Sequence, residues 1–387
     1  MSLERICGLG LAVTRPIVTI VYNTTIYVVK FRIRLIRAIQ DEGYKVVVLS
    51  PRDESCEELE KLGIAHRHIP MSQYGMNPLH ELKTMRAITA EMRSLKPVVS
   101  LHYTIKPNIF GTLAAKKAGV PVVNNVAGTG RAFTTGNIIL RRLITGLYRR
   151  AFKHSAKVFF QNGDDLDTFL KARILPESKT LRIPGSGVDL DQFALAPYPN
   201  NTPHFLFIGR LLKEKGISEF IEAATWLKKR YPHAQFHIVG EFEEHPLFVA
   251  KSILDSAVET KVVEYHGAVP PAQIAALITE ASCIVLPSYY GEGVPRVLLE
   301  ACASGRPIIT TDNVGCRDVV LDGINGFMVK TRDVKDLRNA ISRFIETPFD
   351  EQRAMGRAAR ERVETKFDER FVLEAYLKAI QQEAKIP

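Results

Sequence analysis

Short apolar runs rich in β-branched residues alternate with segments of helical periodicity along most of the chain. In the first half, helices are predicted near 27–42, 78–95, 105–119 and 136–153. Strands are predicted around them at 17–22, 44–50, 64–69, 98–103, 121–126, 155–160 and 179–184. This alternation predicts a parallel sheet that is covered by helices on both faces.

The same alternation starts again after 185–204, a stretch rich in Gly, Pro and Asn that is typical of a linker. It predicts strands at 205–209, 235–240, 261–266, 282–287, 306–310 and 326–329, and a mostly helical tail over 350–386. The predicted fold class is α/β, with two doubly wound, Rossmann-like domains facing a cleft. The predicted parts are a first domain over 1–190, a second over 200–367, and a C-terminal helix, 368–387, that packs back toward the first domain. Ligands of such sheets bind beyond the carboxyl ends of the strands.

The composition is that of a globular enzyme, with 46% hydrophobic residues among 387. No apolar run reaches the roughly 18 residues of a membrane span. Glu4 and Arg15 interrupt the apolar patch at the N-terminus, so a cleaved secretory signal is not expected. The five cysteines have neither metal-ligand nor redox spacing, which predicts reduced thiols in a cytoplasm.

The charge is distributed unevenly along the chain, whose net charge is +10. Residues 1–190 carry 28 Lys and Arg against 15 Asp and Glu, whereas the rest carries 24 against 27. A positive first half attracts nucleic acid, anionic lipid or a phosphorylated substrate. Basic strands rich in aromatic residues, which are typical of nucleic-acid-binding modules, do not occur in the sequence, so no nucleic-acid partner is expected.

The segment GRLLKEKG, 209–216, joins a predicted strand to a predicted helix. Gly209 allows a ligand to approach the backbone. Arg210 can bind a phosphate through two parallel N–H groups, and Lys215 adds a point charge. The segment therefore predicts a phosphate site, and the alternative is an ordinary basic surface loop.

A second motif, GEGVPRVLLE, places Glu292 in a glycine-rich loop and Glu300 inside a predicted helix. The N–H groups at the start of that helix suit a diphosphate or a sugar hydroxyl, and carboxylates accept hydrogen bonds from sugar hydroxyls. The motif predicts a nucleotide-sugar site, with one glutamate for each sugar-like end and the phosphates between them. The other candidate donor-binding residues at this helix start are Gly293, Val294, Arg296 and Val297.

Both motifs, together with GINGFMV at 323–329, resemble those of the retaining glycosyltransferases of family 4, which have the GT-B fold. The resemblance covers most of the chain and is stronger in the second half. It implies that Arg210 and Lys215 bind the donor diphosphate, that Glu292 contacts the donor sugar, and that Glu300 binds the ribose hydroxyls. Glu292, Arg210 and Lys215 are then the expected catalytic residues.

The resemblance also places the nucleotide base against the loop after VVEYHGAV, where His266 and Val269 are candidates. Catalysis is then expected from positioning and from stabilisation of the departing diphosphate. No Asp-x-Asp-like metal site stands where the reaction would need one, so no metal is expected. No cofactor is expected either, because the nucleotide-sugar is a substrate.

The first half is similar to bacterial transferases that build lipid-linked oligosaccharides, through the segments 26–51 and 101–133. This similarity implies an acceptor on a polyprenyl diphosphate at the inner membrane face. Two departures stand out: the first strand–helix loop lacks the glycine of many members, and VVNNVAGTG, 122–130, lacks their histidine. His102 is a substitute for an acid–base role, with a structural role as the alternative. The candidate acceptor-side residues are Asn23, Thr24, Thr25, His102, Lys106, Gly128 and Thr129.

Two basic surfaces predict contact with a membrane. Residues 138–153 form an amphipathic pattern, and Lys30, Arg34 and Arg37 recur at helical spacing. Each could be the solvated face of a core helix. Together with the basic first half they favour peripheral contact with anionic lipid on the cytoplasmic face of the membrane. The apolar side of 138–153 carries Ile139, Leu140, Leu143, Ile144 and Leu147, and the basic side carries Arg142, Arg149 and Lys153.

The predicted function is a retaining, metal-independent glycosyltransferase. The predicted donor is a nucleotide-sugar of the UDP-N-acetylhexosamine type, and the predicted acceptor is a lipid-linked saccharide or polysaccharide in cell-surface glycan synthesis. The alternatives are a GT-B UDP-sugar epimerase or hydrolase and a non-catalytic membrane-binding protein. Sugar transfer or donor hydrolysis, assayed with a panel of nucleotide-sugars, separates the three.

Overall fold

The computed structural model describes residues 15–73, 77–129, 138–199 and 202–384. Within these ranges the strands are β1 (Ile17–Val21), β2 (Lys45–Ser50), β3 (Ala65–His68), β4 (Val99–Tyr103), β5 (Val122–Val126), β6 (Lys157–Phe160), β7 (Thr180–Arg182), β8 (His204–Ile208), β9 (Gln235–Val239), β10 (Glu264–Tyr265), β11 (Cys283–Leu286), β12 (Ile308–Thr311) and β13 (Gly326–Val329). They form two sheets, in the orders β3-β2-β1-β4-β5-β6-β7 and β10-β9-β8-β11-β12-β13. Each order reverses once along the chain, next to β1 and next to β8, as in doubly wound folds. The predicted α/β class is confirmed.

Helices connect most of the strands. They are α1 (Thr25–Asp41), α2 (Cys56–Lys61), α3 (Pro78–Leu95), α4 (Thr112–Ala118), α5 (Ile138–Phe152), α6 (Gly163–Lys171), α7 (Ile217–Arg230), α8 (Lys251–Glu259), α9 (Pro271–Glu280), α10 (Arg296–Ala303), α11 (Cys316–Val319), α12 (Val334–Glu346), α13 (Phe349–Lys366) and α14 (Glu369–Ala384). No helix in the described parts of the chain combines the length and the apolar content needed to cross a bilayer.

The central strands are almost entirely buried because helices cover parallel sheets on both faces. All five residues of β4 are buried, and so are all five of β5. Two polar residues of neighbouring strands also hydrogen-bond to each other. Thr19 Oγ1 donates to Ser100 Oγ at 2.8 Å, and the two residues are register partners of β1 and β4. Polar positions inside these strands therefore do not expose a face to water.

The structure differs from the predicted elements at a few places. The predicted helix 105–119 starts with one π-helical turn, Pro107–Gly111, before α4. The predicted strand 261–266 is reduced to β10 because Lys261 adopts a left-handed φ of 56° and turns the chain. Helices α2 and α6 were not predicted, since both are short and mostly polar.

The chain separates into two compact units. The first contains the residues up to Asn124, His154–Ala156 and the residues from Leu377 onward. The second contains Asn125–Lys153 and Lys157–Tyr376. The first has an apolar core between β1, β2, α3 and α4, and the second has a larger one among β8, β9, β11, β12, α7, α10 and α12. The domain boundaries predicted from the sequence stay predictions.

Candidate active site

The GRLLKEKG segment forms the loop between β8 and α7. Arg210 follows Gly209 directly at the carboxyl end of β8 and is partly buried. A tight turn over Lys213–Lys215 then leads into Gly216, whose φ is 79°. A Cβ at Gly216 would overlap the carbonyl of Pro287, so this position requires glycine. The close approach brings Lys215 against the loop that follows β11.

Lys215 and Glu292 form an ion pair between these two loops. Their side chains are only 17% and 11% exposed, so water screens the pair weakly. Ser288 Oγ also donates to Glu292 Oε1, at 3.2 Å. The structure thus joins two residues that the sequence assigned to different parts of the donor, a diphosphate ligand and a sugar ligand.

The loop between β11 and α10 is held by backbone contacts on both sides. Tyr289 N donates to Glu214 O at 2.9 Å. On the other side, Asn313 Nδ2 donates to Tyr290 O at 2.7 Å and to Ser288 O at 3.3 Å. These bonds fix the loop before Glu292, so its carboxylate is presented from a rigid backbone.

Helix α10 begins after Pro295, and Glu300 lies within its first two turns. Arg296 Nε lies 3.3 Å from Glu300 Oε1, an i,i+4 ion pair in which both side chains are largely buried. Burial raises the pKa of Glu300, and the Arg296 guanidinium partly opposes that rise. The sequence assigned only a backbone role to Arg296, whereas its side chain is the charge partner of Glu300. Val297 is partly buried, and Val294 is buried.

Three glycines allow backbone segments to touch one another beside Glu292. They are Gly128, Gly293 and Gly315. Gly128 has a φ of 110°, and a Cβ there would lie 2.6 Å from Gly291 O. A Cβ at Gly315, whose φ is 77°, would overlap Gly293 O. Gly128, predicted on the acceptor side, therefore lies directly against the donor-side loop.

Asn162 is a site residue that the sequence analysis missed. It is completely buried, and its Nδ2 donates to Gly293 O at 2.9 Å and to Glu292 O at 3.3 Å. Its Oδ1 accepts from Asp165 N at 2.7 Å and so caps α6. Burial raises the pKa of Asp165 to about 6, against hydrogen bonds from Asn162 and Thr129. The sequence does contain a signal for this residue. Asn162 follows a predicted strand by two residues and precedes Asp165 by three, a pattern that is typical of a helix start.

In the first unit, the start of α1 is capped by Asp53. Its Oδ2 accepts from Thr25 N at 3.0 Å, from Ile26 N at 3.3 Å and from Thr24 Oγ1 at 3.3 Å. Thr24 and Thr25, both predicted on the acceptor side, therefore direct these donors to a carboxylate of the same chain. Asn23 Oδ1, in contrast, is buried without a hydrogen-bond partner among the described residues.

Two other acceptor-side candidates are embedded in the first unit. Lys106 Nζ lies 2.7 Å from Glu81 Oε1 and 2.6 Å from Ser72 Oγ, and both charged side chains are buried. His102 is completely buried, with Nε2 2.9 Å from Ser100 Oγ, and burial lowers its pKa to about 3. Its imidazole is therefore neutral near pH 7. The acid–base role of His102 stays a prediction.

The candidates for the nucleotide base lie at the edge of the second sheet. His266 N donates to Ile238 O at 3.0 Å, and its ring is stacked on that of His237. Val269 packs partly buried against the core of the second unit. The His266 ring thus packs against His237 of the neighbouring strand β9. Contact of His266 or Val269 with a base stays a prediction.

Comparison with known proteins bears on both halves of the chain. Residues 18–162 match the family model "Glycosyl transferase 4-like", and residues 191–362 match "Glycosyl transferases group 1". A Campylobacter jejuni protein, N,N'-diacetylbacillosaminyl-diphospho-undecaprenol alpha-1,3-N-acetylgalactosaminyltransferase, is 30% identical over 369 residues, which cover 90% of this chain and 94% of the relative.

The chain belongs to glycosyltransferase family 4. A second relative of this transferase is the Escherichia coli UDP-Gal:alpha-D-GlcNAc-diphosphoundecaprenol alpha-1,3-galactosyltransferase, 26% identical over 68% of this chain and 70% of that one. Among solved structures, an Anabaena protein in complex with UDP and glucose superposes with a TM-score of 0.76. That match has 16% identity and covers 95% of this chain and all of the other, so it shows the shared fold. The predicted GT-B fold and the predicted glycosyltransferase activity are confirmed.

Proposed function

We propose that this transferase moves an N-acetylhexosamine from a UDP donor to a saccharide carried on a polyprenyl diphosphate, with retention of anomeric configuration. The observation that carries the proposal is the shielded Lys215–Glu292 pair beyond the carboxyl ends of β8 and β11. The Campylobacter and Escherichia coli relatives support the acceptor class, since both are named for substrates on an undecaprenyl diphosphate.

The departing diphosphate is stabilised by Arg210 and Lys215. As the bond between the anomeric carbon and the phosphate oxygen breaks, negative charge grows on the diphosphate. Cations that are already fixed in place stabilise that charge without reorganisation. An ammonium group has three donors, so Lys215 can keep Glu292 as a partner while it donates to a phosphate oxygen. These two cations perform the role that a divalent ion has in other transferases, and the reaction proposed here needs none.

The two glutamates hold the two sugars of the donor. Lys215 and Ser288 both contact Glu292 Oε1, which leaves Oε2 to accept from a hydroxyl of the transferred sugar. Glu300, oriented by Arg296, accepts from the ribose hydroxyls. Each carboxylate is thus positioned by a cation on its own side of the diphosphate.

Retention follows from a reaction on one face of the sugar. The acceptor hydroxyl attacks from the side that the diphosphate leaves, and a phosphate oxygen takes the hydroxyl proton. Glu292 is not the nucleophile in this scheme, because an ion pair and a hydrogen bond to Oε1 stabilise its carboxylate where it lies.

The two alternatives have weaker support. An epimerase or hydrolase of the same fold is not favoured, because the relatives over most of the chain are named as transferases. A non-catalytic membrane-binding protein would explain the basic charge but not the paired Lys215–Glu292 and Arg296–Glu300 contacts.

We place the transferase at the cytoplasmic face of the membrane, through exposed apolar and basic residues on α5. Ile139 is 82% exposed and Leu143 is 56% exposed, next to the exposed Arg142 and Arg149. Ile144, predicted on the same apolar side, is buried and holds the helix to its own unit. Apolar side chains beside arginines suit the interface of an anionic bilayer.

The membrane surface can be tested with vesicles that contain phosphatidylglycerol. The double variant Ile139→Ser/Leu143→Ser should bind them about ten-fold or more weakly, since each side chain loses part of the roughly 1.5–3 kcal/mol of full burial. Co-sedimentation measures the partition coefficient. Ile324→Ser, which alters another exposed isoleucine (57% exposed) of the same unit, is the matched control and should bind like the wild type. Equal binding by the double variant and the control would remove α5 from the interface.

The function itself is tested with a panel of UDP-sugars and synthetic polyprenyl-diphosphate saccharides. Mass spectrometry should show one added N-acetylhexosamine on the lipid-linked acceptor, and the new bond should keep the donor's anomeric configuration by NMR. Excess chelator should leave the rate within about two-fold, a difference of roughly 0.4 kcal/mol in activation free energy. Hydrolysis or epimerisation of the donor without transfer, or a rate restored only by Mg²⁺ or Mn²⁺, would contradict the corresponding part of the proposal.

A further inference from the structure

Two histidines and a glutamate meet at the edge of the second sheet: His237 on β9, Glu264 on β10, and His266 directly after β10. His237 and Glu264 are register partners of these parallel strands, and His266 follows Glu264 by two residues. Side chains two apart on a strand, and those of register partners, lie on the same face of a sheet. The fold therefore gathers these three side chains by strand pairing rather than by a mobile loop.

The three ligand atoms are close enough to share one ion. His237 Nδ1 lies 2.9 Å from His266 Nε2, and the Glu264 carboxylate oxygens lie 4.0 Å from the former and 3.8 Å from the latter. The two Glu264 distances belong to different oxygens, Oε2 and Oε1, and one ligand atom from each residue lies within 4.8 Å of the other two. In a tetrahedral zinc site the ligand atoms are about 3.3–3.4 Å apart, so the longest spacing has to shorten by up to about 1.5 Å when an ion binds. Rotation of the Glu264 side chain, which is 66% exposed, can shorten the two longer distances.

The surroundings allow an ion to enter and leave a position for water. The His237 side chain is 15% exposed and that of His266 is 26% exposed, so the cluster opens to solvent on the Glu264 side. Two imidazoles and one carboxylate, with water as the fourth ligand, form a common coordination set of zinc. In the absence of an ion, one of the two nitrogens, His237 Nδ1 or His266 Nε2, donates a hydrogen bond to the other. A bound ion would displace the proton of that hydrogen bond.

A third histidine, His204, lies beside the cluster. Its ring centroid lies 4.0 Å from that of His237. Its Nδ1 donates to Glu280 O at 3.2 Å, because a carbonyl only accepts, and its Nε2 is therefore unprotonated. That buried nitrogen has no hydrogen-bond partner among the described residues. His204 is not one of the three residues whose ligand atoms lie within 4.8 Å of one another, so it is a neighbour of the site and not a ligand.

We infer that His237, Glu264 and His266 form a binding site for a divalent transition-metal ion of the zinc class. Imidazole ligands select Zn²⁺, Co²⁺ or Ni²⁺ over Mg²⁺ and Ca²⁺, which prefer oxygen ligands throughout. The ion ties β9 to the edge strand β10 at the point where the chain enters the loop of residues 266–269. His266 is also a candidate contact of the nucleotide base, but the inference rests on the pairing of β9 with β10 and not on the proposed function.

The site can be tested by titrating Zn²⁺ into the full chain after treatment with chelator and desalting. Calorimetry should give one equivalent for the wild type, and Co²⁺ should give the absorption bands of a four-coordinate ion. Mg²⁺ should give neither. Glu264→Gln should bind Zn²⁺ at least about 10-fold more weakly and His237→Ala at least about 100-fold more weakly, since outer partners of such sites alone account for 10–100-fold.

His233→Ala is the matched control, because His233 is exposed in the same unit and precedes His237 by four residues. It should bind Zn²⁺ like the wild type. Should His237→Ala fail to fold, Glu264→Gln still decides the question, since its side chain is exposed and the change removes only charge. The absence of one-equivalent binding in the wild type, or an unchanged affinity in both ligand variants, would overturn the site.

Discussion

Lys215→Ala is expected to lower kcat/KM for sugar transfer by roughly 100-fold and to weaken binding of UDP by about 10-fold or more. On the proposed assignment, the variant loses a charge-assisted bond to the diphosphate, worth about 1.5–3 kcal/mol in the ground state. It also loses a cation that is needed more as charge develops on the leaving group. Steady-state kinetics and calorimetry with UDP measure the two effects separately.

Lys213→Ala is the matched control for this prediction. Lys213 lies in the same turn, is exposed, and donates to Pro246 O rather than to the carboxylate. We expect its loss to change transfer by no more than about two-fold, as for most surface substitutions. Normal UDP binding in Lys215→Ala would contradict the diphosphate assignment.

The double variant Lys215→Ala/Glu292→Gln separates two explanations of the same loss. Lys215→Ala leaves Glu292, which is 11% exposed, without its cation, and that repulsive charge could by itself oppose a diphosphate. If Lys215 binds phosphate directly, the double variant should bind UDP as weakly as Lys215→Ala. Recovery of UDP affinity in the double variant would show that Lys215 acts only by neutralising Glu292.

Glu292→Gln is expected to lower kcat by roughly 100-fold while UDP affinity stays within about two-fold of the wild type. UDP has no transferred sugar, so the assigned ligand of Glu292 is missing from it. In the full reaction, positive charge develops at the anomeric carbon, and the carboxylate stabilises and aligns the sugar most strongly in that state. A transfer assay beside a UDP titration measures both quantities.

Glu300→Gln provides the contrast, since the ribose is present in UDP and donor alike. The Glu300→Gln substitution should weaken the binding of UDP and of the donor by similar factors. Two observations would contradict the division between the glutamates: a Glu292→Gln variant that binds UDP as poorly as Glu300→Gln, or a Glu300→Gln variant that binds UDP normally.

The fold followed from the sequence because its signals are local and repeated. Apolar β-branched strands alternate with helices at nearly constant intervals, and each interval independently indicates a parallel sheet. The GRLLKEKG and GEGVPRVLLE motifs each follow the end of a strand, where the loops of such sheets bind ligands. The position of Arg210, Lys215, Glu292 and Glu300 after β8 and β11 was therefore predictable.

The partners of these residues were not predictable, because they depend on contacts between distant segments. Lys215 and Glu292 are 77 residues apart, and Asn162 reaches Gly293 across 131 residues. The burial of the Lys106 side chain likewise depends on its ion pair with Glu81, which belongs to α3. Residue type and spacing indicate that a lysine or asparagine is suited to a site, but only the packed chain shows which group it faces.

The Asp53 cap has a consequence for the energetics of the first strand–helix loop. In many phosphate-binding folds the backbone amides at a helix start stay open until an anion arrives, and part of the binding energy then offsets the lost chain entropy. Here the amides of Thr25 and Ile26 already donate to a carboxylate of the same chain. These two amides therefore have no free N–H to offer an arriving phosphate, and we expect their protons to exchange slowly with and without substrate.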